Sequence, residues 1–324
     1  MNTDIKRLLP LVLASGLLLA FFRLQVGGLF LTQANLIDLA EQVVVNGLLA
    51  LGITFTILIG GIDLSVGSVV ALSGTVTVYL LNELGGAQGS IPRLCLAAGA
   101  GLAIAAGVGL LNGACASLTR MPPFIITLAT MQIARGAALR FNDAKPISVP
   151  DSEKLFQAIG NHRLWGGEGG GGVPVPVVIL LAAFVVTYVL LHRTRFGQHL
   201  FAIGGNREAA RYAGISLARH ETCVYVLCAS LAGVAGIIQA SRHYSAVPSS
   251  GEGFELSAIA AAVVGGASFK GGVATISGTL LGAAIIGILD KGLNQAGVHF
   301  SLKYIVKGLV ILSAVYLDVR RSRS

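Results

Sequence analysis

The reactive side chains are few and form no catalytic set. The six histidines lie mostly at the ends of apolar stretches or between them. Cys95, Cys115, Cys223 and Cys228 all sit in apolar runs and include no CxxC pair, so metal-site spacing is absent and no metal site is expected. There is no GxxxxGK-Ser/Thr phosphate loop, no HExxH helix and no Ser/His/Asp arrangement. What remains is polar chemistry in apolar surroundings. In GGIDLSVGSVVALSG, residues 60–74, Asp63 follows closely on a glycine pair. A carboxylate in hydrocarbon costs roughly 2.5–3.5 kcal/mol on insertion scales, so it must cap amides, meet a cation or face water. Gly60 and Gly61 allow the chain to unwind. Asp63 and Ser65 can then cap the next helix, which continues through Gly67 and whose positive end favours a carboxylate. Three roles stay open for Asp63: cap of a helix break, contact in a gate or coupling path, and direct acceptor for ligand hydroxyls.

Other polar residues fall within apolar runs. Glu41, Gln42 and Asn46 share one broad helix face, Asn112 lies in a glycine-rich run, and Thr127 follows Pro122-Pro123. Interhelical hydrogen bonding and the lining of a pathway both use such residues. Gln42, Asn46, Asn112 and Thr127 are the pathway candidates. Arg135 and Lys307 are expected to pair or snorkel rather than bind a ligand. Glu252 and Glu255 are either a solvated rim or a docking surface.

TRFGQHLFAIGGNREAARYAGISLARHE, residues 194–221, lies between two long apolar runs. Gly204 and Gly205 permit a tight turn. Asn206 is an N-cap candidate, Glu208 suits a helix N-terminus and Gly214 is a stop, which predicts a helix over 207–213. A helix this short is marginal alone and needs a surface. It is either an ordinary basic loop or a docking element, with Arg207, Glu208 and Arg211 for polar contacts and Ala209 and Ala210 for close approach.

The elements that must position these residues follow from composition. The 324 residues are 54% hydrophobic and 12% charged, with mean hydropathy +0.78. Soluble proteins carry about 25% charged residues, so an all-α integral membrane protein is expected. Aromatic residues at 6% are too sparse for the two girdles of a β-barrel. Ten spans fit, near 8–22, 36–59, 64–81, 94–118, 124–141, 174–191, 222–240, 255–268, 273–289 and 303–318. The first and eighth are short, and the eighth can be a half-helix or re-entrant segment. Lys6 and Arg7 precede the first apolar run, which is expected to be an uncleaved span because no small-x-small cleavage site follows it. The basic loop 192–221 and the basic tail place both termini and that loop inside the cell, so the net charge of +8 reads as topology and not as nucleic-acid binding. The chain then forms one transmembrane domain, 1–324, with a long outer loop over 142–173 that contains the flexible tract GGEGGGG at 166–172. A weak internal repeat is visible: Gly60-Gly61 recurs as Gly265-Gly266, Ser73-Gly74-Thr75 as Ser277-Gly278-Thr279, and Gly67 and Val69 as Gly271 and Val273.

GGIDLSVGSVVALSG, AIGGNREAARYAGI and GFELSAIAAAVVGGASFKGG occur in that order, followed by LDKGLNQAGV at 289–298 and VKGLVILSAVYLD at 306–318. Together they resemble the ribose-type monosaccharide permeases of bacterial ABC importers, through nearly the whole chain. The resemblance implies a type II-like importer permease of about ten helices with broken or re-entrant segments, in the bacterial inner membrane. It implies a second permease subunit, most simply as a homodimer, within membrane lipid. It also implies a cytoplasmic ATP-binding subunit that holds ATP and Mg, and a periplasmic sugar-binding protein. No cofactor is expected on this chain. Residues 204–214 match the loop that receives the stroke of the ATPase in such proteins, although the usual downstream Ile-x-Leu-Pro is missing. Two positions depart from the family pattern: that of Ser257 is commonly acidic, and Phe269-Lys270 commonly reads small or apolar. The alternative is a self-contained sugar facilitator or channel, which would not need a docking loop. An intramembrane enzyme is a more distant alternative.

Overall fold

The computed structural model describes residues 2–85, 87, 89–119, 121–166 and 171–321. The chain is helical almost throughout. The long helices are α1 Asn2–Val26, α2 Gln33–Leu58, α3 Val66–Glu83, α4 Ile91–Leu118, α5 Pro123–Arg140, α7 Val175–His192, α10 Leu217–Arg242, α12 Ile276–Gln295 and α13 Phe300–Arg321. Shorter ones are α6 Lys154–Asn161, α8 Arg195–Gly205, α9 Arg207–Tyr212 and α11 Phe254–Val264. Each of the ten expected spans is occupied by a helix. Among the described residues seven helices, α1, α2, α3, α4, α7, α10 and α12, are long and apolar enough to cross a membrane. At about 1.5 Å per residue, the 11 residues of α11 reach only part-way. Both α5 and α13 fall outside the apolar set, and they carry the intramembrane cations Arg135 and Lys307.

At the centre stands α10, which packs on α4, α3 and α2. Small residues let these helices approach at backbone distance, as packing in lipid requires. On α4, Gly101, Ala105, Gly109 and Gly113 recur every fourth position and are all buried. A Cβ on Gly109 would strike the Tyr225 carbonyl, and one on Gly113 would strike Thr222 of α10. Gly52 of α2 meets Cys228 in the same way. Across α2 and α12 the hydroxyls of Thr54 and Thr279 share a buried hydrogen bond of 2.7 Å. The outward faces of α1, α4, α5, α7 and α13 carry Leu17, Leu24, Leu110, Ile133, Val186 and Leu309, all exposed. Such apolar surfaces suit lipid.

Because α10 runs for 26 residues, its two ends define two ends of the bundle. One carries α8 and α9, the other α6. At the α6 end the segment 142–173, expected as a long outer loop, is largely built onto the bundle. Phe156 of α6 is fully buried. The Ser241 hydroxyl of α10 donates to the Phe156 carbonyl at 2.5 Å and accepts from the Gly160 amide at 2.8 Å. Two short antiparallel ribbons complete this cap: β1 Ile147–Ser148 with β4 Ser245–Ala246, and β2 Arg163–Leu164 with β3 Val173–Pro174. Of the glycine tract at 166–172, residues 167–170 lie outside the described residues.

The internal repeat is partly structural. Gly60 and Gly266 both have positive φ, 78° and 98°. Each closes its helix in the same way, with Gly61 N–H bonded to the Thr56 carbonyl and Ala267 N–H to the Ala262 carbonyl. The equivalence is one residue off the sequence match, and it ends there. Gly67 is inside α3, whereas Gly271 lies in a turn at φ 81°, because α12 begins only at Ile276.

The cap is locked by a buried ion pair, Arg93 Nε to Glu153 at 3.2 Å, and Arg93 also donates to the Leu81 carbonyl. Removing one partner of a buried pair leaves a desolvated charge. Glu153→Ala is therefore expected to lower stability by about 3 kcal/mol, seen as an earlier thermal transition in detergent. A transition equal to that of the parent would show that the cap does not depend on this pair.

Candidate functional site

The site grows from the interruption between α2 and α3. Gly60 turns the chain at positive φ, residues 61–65 are non-helical, and α3 starts at Val66. Asp63 and Ser65 are fully buried. Asp63 Oδ1 accepts from the Ser65 N–H at 2.9 Å and from the Ser65 hydroxyl at 2.6 Å. This departs from the expected arrangement. Asp63 holds the N-cap residue itself, and the Ser65 oxygen caps no helix amide. It instead accepts from Asn112 Nδ2 at 2.9 Å, while Asn112 Oδ1 accepts from Thr130 at 2.6 Å. Thr127 donates to the Ile62 carbonyl at 3.1 Å. The break is thus tied to α4 and α5 through side chains that satisfy its freed backbone.

Of the four pathway candidates, Asn112 and Thr127 belong to this network. Gln42 and Asn46 do not. They lie on α2, at least 14 residues or about 21 Å of helix from Gly60. Gln42 is half-buried, and both polar atoms of the Asn46 side chain are buried with no hydrogen-bond partner. Glu41 forms an ion pair of 2.6 Å with Arg242, whose guanidinium also reaches Asp38. Lys291 joins the same cluster through Asp38. Arg135 donates to the carbonyls of Pro248 and Ser250 at 2.8 and 2.5 Å. Lys307 pairs with Asp290 at 2.9 Å. Both intramembrane cations therefore have partners within the protein. Glu255 folds back to accept from the Gly253 N–H at 3.2 Å.

The loop 192–221 folds into α8, α9 and the start of α10. Asn206 Oδ1 accepts from the Ala209 N–H at 3.0 Å, and Gly214, at φ 82°, ends the helix. The predicted helix is present over Arg207–Tyr212. Its faces are the reverse of the expectation at one position. Ala210 is only 4% exposed and packs into this chain's own core. Glu208, Ala209, Arg211 and Tyr212 form the exposed face. Arg207 is engaged at home, in a 2.5 Å ion pair with the buried Glu221 of α10. The glycine pair ahead of α9 also differs in role between its members. A Cβ on Gly204 would strike Leu58 O at the end of α2 and the Gly272 amide, whereas one on Gly205 would meet nothing within 4 Å. Gly272 N–H donates to Leu58 O at 2.8 Å. Helix α8, the end of α2 and the turn 265–275 thus meet backbone to backbone. Beside them a cleft of about 350 Å³ is lined by Gly60, Gly61, Pro122, Pro123, Glu221 and Tyr225, among others.

Residues 35–315 match the family described as branched-chain amino acid transport system / permease component. The chain belongs to this permease family. It is 43% identical over 293 residues to the ribose import permease protein of Bacillus subtilis, covering 90% of this chain and 87% of the relative. Against the D-allose transport system permease protein of Escherichia coli it is 37% identical, covering 89% and 84%. Against the L-arabinose transport system permease protein of the same species it is 36% identical, with the same shares. No solved structure matches at a significant level.

Two departures from the family pattern have a place in this permease. The Ser257 hydroxyl is 3.5 Å from Lys307 Nζ, whose carboxylate partner is Asp290. Lys270 is exposed on the turn 265–275, near α8. Glu221 and Tyr225 were absent from the candidate residues of the sequence, and Cys228 figured there only as a cysteine without metal-site spacing. Their spacing along α10 was the one available signal, since it puts all three on the face that meets the break.

The contrast between the two glycines gives a paired expectation. Gly204→Ala forces a methyl group onto backbone atoms and is expected to cost about 1–3 kcal/mol, with a matching fall in transport. Gly205→Ala should stay within about 0.5 kcal/mol. Equal melting temperatures for the two variants would show that the junction of α2, α8 and the 265–275 turn is not tightly packed.

Proposed function

We propose that this permease is the membrane-spanning subunit of an ATP-driven importer for a monosaccharide of the ribose type. It works as a homodimer in the bacterial inner membrane, with both termini and the 192–221 loop on the cytoplasmic side. A binding protein delivers the sugar at the α6 end. A separate subunit binds ATP and Mg and engages α9 as the coupling element of the single domain 1–324; this chain itself carries no cofactor. The observation that carries the reading is α9: a six-residue helix capped by Asn206 and Gly214, exposed on one face, anchored to the break by Gly204 and the Arg207–Glu221 pair, in a chain similar to sugar import permeases. A short exposed helix needs a docking surface, and a facilitator has no use for one.

The mechanism follows from weak binding and two states. A relay must release what it receives, so sugar passes by transient hydrogen bonds along a polar path. The unpartnered Asn46 amide is suited to that path because a passing hydroxyl would satisfy it. ATP binding selects one state of the membrane helices, its release the other. The break over 59–65 serves as structural hinge and coupling contact, with Asp63 holding it and not touching the sugar.

Uptake by vesicles containing the permease with and without the ATP-binding subunit tests the reading; uptake of equal rate without it would support the facilitator. The exposed face of α9 can be tested separately. Ala209→Trp is expected to reduce co-purification of the ATP-binding subunit and sugar uptake together, with the permease's own melting temperature unchanged. Ala210→Trp should instead lower that temperature, because its side chain enters the core. Full assembly and uptake in Ala209→Trp would show that α9 is not the coupling element.

A further inference from the structure

Glu221, Tyr225 and Cys228 stand at i, i+4 and i+7 on α10 and form one stripe. At one end Glu221 holds Arg207 of α9. In the middle the Tyr225 hydroxyl lies against Gly61, where an added methyl group would come within 2.5 Å of it. At the other end Cys228 lies beside Asp63. A continuous line of side chains thus runs from α9 to the break, and from Asp63 through Ser65 and Asn112 to Thr130 on α5.

Apart from Glu221 Oε1, which the Arg207 ion pair holds, two atoms on this line are buried without a hydrogen-bond partner: the Tyr225 hydroxyl and Asp63 Oδ2, whose carboxylate is bordered by the Cys228 thiol. Tyr225 is 1% exposed and Asp63 fully buried. Such groups are rare in native proteins and call for a cause. One is a donor and the other an acceptor, and both border the same break. Gly60 has no neighbour within 4 Å of a Cβ position, and the 350 Å³ cleft opens beside it. The segment therefore has space to move.

We infer that Glu221, Tyr225 and Cys228 are positioning residues for transport, and that the Tyr225 hydroxyl donates to Asp63 Oδ2 in the opposite conformational state. Movement of α9 pulls Glu221 through Arg207. The face of α10 then shifts against the break, and the two unpartnered atoms meet. The bond exists in one state only, so it biases the transport equilibrium without adding stability to the state described here. This rests on the importer reading above.

The test uses the full complex of permease, ATP-binding subunit and binding protein in lipid vesicles. Tyr225→Phe removes only a hydroxyl that has no partner in this state. It should melt as the parent does without nucleotide, and earlier than the parent when trapped with ATP and vanadate. Loss of one buried hydrogen bond from one state shifts the balance by about five- to tenfold, so uptake should fall by that order. Asp63→Asn puts an N–H donor where the acceptor was, so the bond from the Tyr225 hydroxyl to a carboxylate is lost but the hydroxyl oxygen can accept in its place; the trapped state should shift in the same direction by a smaller amount. The double variant should be no worse than the more impaired single one, because both remove the same bond. A trapped complex of Tyr225→Phe that melts as the parent does, or losses that multiply in the double variant, would overturn the proposal. A parent complex that hydrolyses ATP but imports no monosaccharide would count against the sugar reading alone, and the melting comparison would still decide this one.

Discussion

A helix that stops inside a bilayer frees amides and carbonyls with no water to receive them. The rest of this structure depends on how the break over 59–65 meets that constraint. Gly61 bonds back to Thr56, Thr127 takes the Ile62 carbonyl, and Asp63 takes the Ser65 amide and hydroxyl. Thr127 reaches the break from α5 and Asn112 from α4, so the break draws both helices to α3. Asn112 matters most here, because its amide donates to Ser65 and accepts from Thr130 at once.

Polar contacts of this kind need short helix–helix distances, and glycine supplies them. Gly109 and Gly113 set α4 against the backbone of α10. Gly204 lets α8 touch the last carbonyl of α2 and the turn at 272. In lipid the apolar effect does not drive helices together, so close packing and hydrogen bonds carry more of the cohesion. The high glycine content and the buried hydroxyls are two parts of one solution.

The two ends of the bundle are held together by different means. At the α6 end, Arg93–Glu153 and the Asp38, Glu41, Arg242 and Lys291 cluster tie loops and helix ends into a fixed cap. At the α9 end the elements meet through glycine backbones beside a cleft, and the only ion pair of α9 among the described residues has one half-exposed member, Arg207.

Local rules were enough for much of this. Apolar runs of bilayer length placed ten helices, because every backbone group in lipid must be satisfied within its own segment. Asn206 and Gly214 bounded α9 because capping involves only neighbouring residues. Gly60 and Asp63 marked a break for the same reason. The partners across the fold were not legible. Whether Ala210 or Ala209 faced outward depended on where α9 lands, and a six-residue helix has too few apolar positions to declare a face. Ser65 could cap a helix or serve Asp63 and Asn112, and only the approach of α4 chose between them. The matching glycines Gly67 and Gly271 ended in a helix and in a turn, since Gly271 and Gly272 turn at positive φ and α12 starts only after the Thr275 cap. Residue type and spacing set which backbone groups needed partners. The packing of distant helices decided which partners they found, because a hydrogen bond between residues tens or hundreds of positions apart leaves no local periodicity to read.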